Sequence, residues 1–279
     1  MSPALTAKRR LATLPLLRRE SIGELYHVLS FDDPEGTVAQ PGQFVMVRGA
    51  EWGDAPLLPR PMSYLTAGNT PSILIKVIGE GTLRMSRAEP GEPFTLLGPL
   101  GLPWRTPSAG RRPVLVAGGV GVAPLVFLAR SLAGAGTGQK PLALYGGRTA
   151  RDVPLDDDLT ELAELIVTTE DGSRGTKGRV TDVLNELLGP DKDVFTCGPD
   201  RMMAKVAELC AARDVPCEVS LETPMACGYG VCLGCPVPTT DGGYLYACMQ
   251  GPCVSARRVD WSRADHAPKK GAAGTRSTP

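Results

Sequence analysis

The sequence predicts a multidomain fold: an antiparallel β-barrel, then an α/β unit on a parallel sheet, then a small cysteine-rich domain. Three observations carry that prediction. Short Val, Ile, Leu and Phe runs broken by Gly and Pro fill residues 10–108, strand and helix patterns alternate from Arg111, and a Cys- and Gly-dense stretch follows Pro216. The expected units are 1–108, 109–215 and 216–261, and the polar, Pro/Gly-rich residues 262–279 are expected to form a disordered tail.

In the first unit the runs YHVLSF, GQFVMVRG, SILIKVIG and EPFTLLGPLG show period-2 patterning. Phe44, Met46 and Arg48 alternate with Val45 and Val47, as expected for strands of a barrel or sandwich. In the second, VLVAGG reads as a buried strand ending in glycines, and APLVFLARSLAG behind it reads as a helix with Pro124 near its first turn. The alternation repeats through PLALYGG, ELIVTTEDG, TDVLNELLG, DVFTCGPD and RMMAKVAELCAARD, which implies a parallel sheet with helices on both faces. A last strand, CEVSLE, leads into the cysteine loop.

Composition narrows the function. Thirty Lys and Arg balance thirty Asp and Glu, so no net charge favours nucleic acid or an anionic membrane as partner. The N-terminus has only a broken apolar stretch, and no segment approaches the roughly 20 apolar residues of a membrane helix, so a cytoplasmic location is expected. Eight cysteines in a reducing compartment call for something other than four disulfides. His27 and His266, the two histidines, lie apart from any Cys, Ser or carboxylate cluster, which disfavours triad hydrolases and histidine metal sites.

Cys227, Cys232 and Cys235 are spaced C-x4-C-x2-C, and twelve residues separate Cys235 from Cys248. The first part is the spacing of plant-type 2Fe-2S sites, in which four thiolates hold two irons. A zinc ribbon more often uses two C-x2-C knuckles, and one occurs here. Gly228, Gly230 and Gly234 allow a loop to curl with its N–H groups turned inward, which favours iron–sulfur over zinc or mere burial. Cys210 and Cys217 read as core residues, and Cys248 is preferred to Cys253 as fourth ligand because it ends the strand-like run GYLYA.

Two turns suit a nucleotide. Gly118, Gly119 and Gly121 lie between a strand and a helix, where free N–H groups favour phosphate, although Pro124 stands at the third glycine position of G-x-G-x-x-G. Cys197, Gly198 and Pro199 form a second such turn, and two on one parallel sheet can face a single crevice. In the first unit, Arg60 could pair with a pyrophosphate, and Ser63 and Tyr64 could meet a flat ring. The segments Leu74 to Lys76 and Gly79 to Thr82 add a strand, glycines and a hydroxyl for further phosphate contacts.

Taken in order, RPMSY, GEGT, GGVGVAP, TCGP and the C-x4-C-x2-C loop resemble the ferredoxin-NADP reductase superfamily. More narrowly, SLETPMACGYGVCLGC is similar to the electron-transfer subunits of class 1B dihydroorotate dehydrogenase. The resemblance spans residues 10–258 and implies an FAD-binding barrel, a nicotinamide-nucleotide domain and a 2Fe-2S domain. It implies an NAD-linked oxidoreductase subunit that passes electrons between NAD and FMN of a separate catalytic subunit through FAD and the cluster, in pyrimidine (UMP) synthesis. The dihydroorotate site would lie on that partner, in a heterotetramer. It further implies FAD contacts at Arg60, Pro61, Met62, Ser63, Leu74, Ile75, Lys76, Gly81 and Thr82, and cluster ligation by Cys227, Cys232, Cys235 and Cys248. The nicotinamide nucleotide would lie over Gly118 to Gly121 and near Cys197 to Pro199. Departures are Met62 and Tyr64 in place of smaller aliphatics, the additional Cys253 and the tail. Two other readings remain at this point: a related reductase subunit serving a hydrogenase, a sulfur reductase or ferredoxin, and a non-enzymatic zinc-binding regulatory module.

Overall fold

The computed structural model describes residues 9–135 and 140–263. From residue 264 onward the expected tail lies outside the described residues. The first strand, β1 (Arg10–Ile22), is followed by β2 (Tyr26–Phe31), β3 (Phe44–Gly49), β4 (Arg60–Thr66) and β5 (Ser72–Lys76). A short helix, α1 (Glu80–Met85), precedes β6 (Pro93–Leu100), and the six strands close into a barrel in the order β1-β2-β5-β4-β3-β6, every pair antiparallel. Closure needs β1 to pair on both sides. It meets β2 through Leu16 to Ile22 and β6 through Arg10 to Pro15, with a bulge between Leu16 and Arg18 where it changes partner.

The second part contains β7 (Arg112–Gly118), α2 (Val122–Gly134), β8 (Leu142–Gly147), α3 (Asp156–Leu162), β9 (Glu164–Thr169) and the two-residue β10 (Thr176–Lys177). After these come α4 (Val180–Leu187), β11 (Lys192–Cys197), α5 (Asp200–Ala212) and β12 (Cys217–Ser220). The chain then forms a hairpin of β13 (Pro236–Pro238) and β14 (Tyr244–Tyr246), a turn of helix α6 (Ala247–Gln250), and β15 (Cys253–Ser255). The sheet order is β10-β9-β8-β7-β11-β12-β15, parallel except for its last pair. The strand expected to open the third unit is therefore the sixth strand of this sheet, and β15 is the seventh. The cysteine loop and its hairpin leave the sheet after β12 and return to it at β15.

Three cores hold these parts together. Inside the barrel, Leu14, Leu16, Phe31, Val45, Val47, Ile75 and Phe94 are buried. A second core packs α2 and α3 on one sheet face and reaches the barrel through Tyr26, Val28, Leu65 and Leu74. The third packs α4 and α5 on the other face and joins Phe44, Met46 and Leu100 of the barrel to Cys235, Val237, Leu245 and Cys248. The alternation along β3 explains this: Val45 and Val47 fill the barrel, whereas Phe44 and Met46 face the cysteine hairpin. The segment after the barrel is also fixed to the sheet. Trp104 packs edge-on against Phe195 at 5.7 Å, and Arg105 Nη1 donates to Asp193 Oδ2 at 2.8 Å beneath it.

Candidate functional site

The two barrel motifs come together. Arg60, at the start of β4, lays its guanidinium against the backbone of Gly81 at the start of α1, in the space a Cβ at Gly81 would fill. Only glycine leaves room for that stacking. Thr82 turns back instead of outward: its Oγ1 lies 3.0 Å from the Gly79 carbonyl and accepts from the Ile78 and Gly79 N–H groups, fixing the bend. Burial, Arg48 and Arg84 all work against the charged form of Arg60 and hold its pKa below the usual guanidinium range. Arg60 and Arg84 both stand over the Trp52 ring, at 5.8 and 5.9 Å from its centroid. Glu80 is the carboxylate paired with Arg84 at 2.8 Å, while Arg48 donates to the Pro56 and Gly49 carbonyls. The chemistry of this set suits a polyanion such as a pyrophosphate. Arg48, Trp52 and Arg84 were not singled out from the sequence as site residues; Arg48 could have been, since it shares a strand face with Met46.

Tyr64 corrects an expectation. It is 2% exposed and packed in the barrel core with Val45 and Val47, so it is not available to a ring lying outside the barrel. Met62 and Ser63 remain partly accessible. The Leu74 and Ile75 side chains are buried in two different cores, and the residues as a whole are only 2% and 0% exposed. Lys76 turns toward the nucleotide unit, with Nζ 3.1 Å from Asp152 Oδ1.

Both glycine turns sit at the carboxyl ends of adjacent parallel strands, where Cys197 registers with Ala117. They touch through backbone. A Cβ at Gly121 would lie 2.6 Å from the Cys197 carbonyl, and one at Gly198, whose φ is +153°, would lie 2.9 Å from Gly118 Cα. Gly118 faces Pro199 and the Met202 sulfur, so the two turns form one continuous floor. The Cys197 thiol points away from that floor into the core, and burial pushes its pKa well above the usual thiol range.

In the cysteine loop, Gly228, Gly230 and Leu233 adopt positive φ of 78°, 92° and 53°. A Cβ at Gly228 would meet Met46 Cγ at 2.5 Å, so the loop lies directly on the barrel. The four thiols fall into two pairs. The Cys232 N–H donates to Cys227 Sγ at 3.5 Å; Cys235 and Cys248 Sγ are 3.3 Å apart, and the Cys248 N–H donates to Cys235 Sγ at 3.5 Å. The hairpin makes the second pair by registering Pro236 with Tyr246, which sets Cys235 beside the first turn of α6. Among the described residues no three His, Cys, Asp or Glu side chains gather around one ion. Burial opposes the Cys227 thiolate, but the N–H groups of Cys232, Tyr229 and Val231 and the Cys232 thiol outweigh it and bring its pKa down to about 6. Cys248 is pushed up to about 12 by burial and by Cys235. Inward N–H donors around paired thiols suit an anionic cluster with two thiolates on each metal. Cys253 is elsewhere, buried in β15 with Sγ 3.6 Å from the Gly42 carbonyl.

Beside the loop's contact with the barrel opens a cleft of about 480 Å³, lined by Met46, Arg48, Leu97 and Cys227 among others.

A closed barrel, a mainly parallel sheet with two glycine turns at the carboxyl ends of adjacent central strands, and a cysteine loop seated on the barrel define an oxidoreductase chain of the ferredoxin-reductase type. The solved structure of an NADH-dependent reduced ferredoxin-NADP oxidoreductase, studied for flavin-based electron bifurcation, superposes with a TM-score of 0.79 at 29% identity over 91% of each chain. Flavohemoglobin from Malassezia yamatoensis with bound FAD and heme shares the fold at 22% identity and a TM-score of 0.64, over 74% of this chain and 57% of that one. Residues 115–208 match the oxidoreductase NAD-binding domain, and residues 222–260 match the iron-sulfur cluster binding domain of dihydroorotate dehydrogenase B. The electron transfer subunit of dihydroorotate dehydrogenase B (NAD(+)) from Desulforamulus reducens is 37% identical over 84% of this chain and 92% of its own length. A probable subunit of the same kind from Methanopyrus kandleri is 40% identical over 76% and 78%. The chain belongs to the family of dihydroorotate dehydrogenase B electron transfer subunits.

Proposed function

We propose that this chain relays electrons between NAD and the FMN of a separate dihydroorotate dehydrogenase catalytic subunit in the cytoplasm, serving pyrimidine synthesis. The observation that carries this reading is the similarity to the Desulforamulus reducens subunit across 92% of that subunit, beside the separate iron-sulfur domain match at residues 222–260. When bound, FAD exchanges a hydride for two single electrons and a 2Fe-2S cluster carries one electron at a time.

The chain's own residues supply the places and the fields. Arg60, with Arg48 and Arg84 near it, would hold the FAD pyrophosphate, and Met62 and Ser63 offer surface to its ring. Gly118, Gly119, Gly121, Gly198 and Pro199 would carry the nicotinamide nucleotide on a floor that side chains would obstruct. Cys227 with Cys232, and Cys235 with Cys248, would each hold one iron, and the surrounding N–H groups would stabilise the cluster's charge. We read residues 1–108 as the FAD unit and 109–215 as the nucleotide unit, with the cluster segment 216–261 sharing the latter's sheet.

Docking of the catalytic subunit beside the cluster is supported by the apolar residues around the loop, and a heterotetramer is the assembly expected of such a pair. Tyr229, Val231 and Leu233 are 44%, 72% and 53% exposed, and apolar rims of this kind mark protein contacts. Reconstitution tests the whole reading. Purified chain with iron and flavin, mixed with an FMN-containing dihydroorotate oxidase, is expected to confer NAD reduction by dihydroorotate. Flavin and iron present with no such activity would favour a reductase serving ferredoxin, the reaction named for the neighbour at a TM-score of 0.79. Zinc without iron or flavin would defeat both.

A further inference from the structure

Lys76 and Asp152 meet across the junction of barrel and sheet. Lys76 ends β5, Tyr26 begins β2, and the two are register partners, so both project from the same end of the barrel. Asp152 sits in the turn after β8, and its side chain is 11% exposed. Its Oδ1 lies 3.1 Å from Lys76 Nζ and accepts from the Tyr26 hydroxyl at 3.4 Å; the ammonium stands 5.0 Å over the Tyr26 ring. Arg148 Nε approaches Oδ2 at 3.4 Å from the solvent side. Burial works against the charge on both groups, yet Tyr26 and Asp152 together keep the Lys76 pKa above its ordinary value, and Lys76 with Arg148 keeps the Asp152 pKa below its own.

The contact continues into the nucleotide floor. Two residues beyond Asp152, the Pro154 carbonyl lies 2.8 Å from the Tyr145 hydroxyl, which is 2.9 Å from the Gly119 carbonyl. A Cβ at Gly119 would in turn stand 3.8 Å from the Tyr26 hydroxyl. Barrel strand, carboxylate, tyrosine and glycine turn thus form one connected path.

From this geometry we infer that the Lys76–Asp152 pair is a strut that sets the distance between the barrel's flavin side and the glycine floor, making Asp152 a positioning residue for hydride transfer. The inference rests on the reading that FAD lies against the barrel and the nicotinamide nucleotide over the floor. In that step NADH gives a hydride, two electrons with one proton, to FAD, which takes a second proton from solvent. Hydride transfer is steeply sensitive to donor–acceptor distance, so a loosened strut slows the transfer without emptying either binding place.

The test is anaerobic stopped-flow bleaching of flavin by NADH in the full FAD-loaded chain, comparing wild type with Asp152→Ala, Asp152→Asn and Asp152→Glu. For the Ala and Asn variants the limiting rate is expected to fall about 10- to 100-fold, with half-saturating NADH changed less than about 3-fold and flavin content unchanged. The isotope effect with 4-deuterated NADH should grow, and Asp152→Glu should recover to within about 3-fold of wild type. Asn keeps the volume of Asp, so it decides the matter if the Ala variant does not fold. A limiting rate within about 2-fold of wild type, or a loss carried by flavin content or half-saturation instead, overturns the strut. Wild-type flavin that NADH does not bleach overturns the underlying cofactor reading, and the strut with it.

Discussion

At Gly121 a single hydrogen atom decides whether the nucleotide floor exists, because any Cβ there would stand 2.6 Å from the Cys197 carbonyl of the neighbouring turn. Gly121→Ala should force the two turns apart. Half-saturating NADH is expected to rise more than about 10-fold and stability to fall by about 2 kcal/mol, read by flavin-bleaching titration and thermal melting. Cys232 is a different case. It is exposed, and its neighbour Val231 is 72% exposed, so its loss removes a proposed iron ligand without opening a core. Cys232→Ser is expected to abolish the visible cluster absorption and lower bound iron while flavin stays bound. Loss of the flavin as well would show that the loop's seat on Met46 also holds the barrel site together. Lys76 and Tyr64 teach a related point about sequence motifs: a residue of the right chemistry within a binding stretch can serve a neighbouring element or the core.

Among the elements, β11 carries the greatest structural demand, since it lies between β7 and β12 and delivers the second glycine turn. Its Asp193 is fully buried beneath Arg105, and the Ser108 N–H donates to it at 2.6 Å. Burial alone would raise its pKa, but Arg105 and Ser108 outweigh that and hold it below the usual carboxylate range. A depressed folded pKa contributes stability above the unfolded value, near 4, which is lost as pH falls through the folded value. Melting temperature should therefore decline below about pH 4, and Asp193→Asn should flatten part of that decline while costing about 2 kcal/mol at neutral pH. A pH–melting series on both proteins checks it. The long β1 was invisible as a strand, because Pro15 and the charged run Arg18 to Glu20 interrupt its pattern. Its role comes from closure, which the barrel demands and no local pattern announces.

For the molecule as a whole, the exposed rim of the cysteine loop makes assembly a testable property. Val231→Asp, placed 72% exposed where no core is disturbed, is expected to weaken association with an FMN-containing partner by about 10- to 100-fold. Titration calorimetry reads the association, and NADH-driven dye reduction by the chain alone should be unchanged. If association is unaffected, docking lies on another face. Among the described residues no helix is long and apolar enough to cross a membrane.

What the sequence by itself determined were the local signatures: strand alternation in the barrel, the strand–turn–helix rhythm, the two glycine turns and the C-x4-C-x2-C spacing. Each is set by steric and hydrogen-bonding needs within a dozen residues, so it is legible from one segment. The tertiary structure decided which of those segments meet. It stacked Arg60 on Gly81, gathered Arg48 and Arg84 near them, seated Gly228 on Met46, turned Tyr64 into the core and Lys76 toward Asp152, and folded β12 and β15 into one sheet with the cysteine hairpin between them. Those outcomes depend on burial and pairing between residues far apart in the chain, energies that exist only once the barrel has closed and the sheet has formed against it.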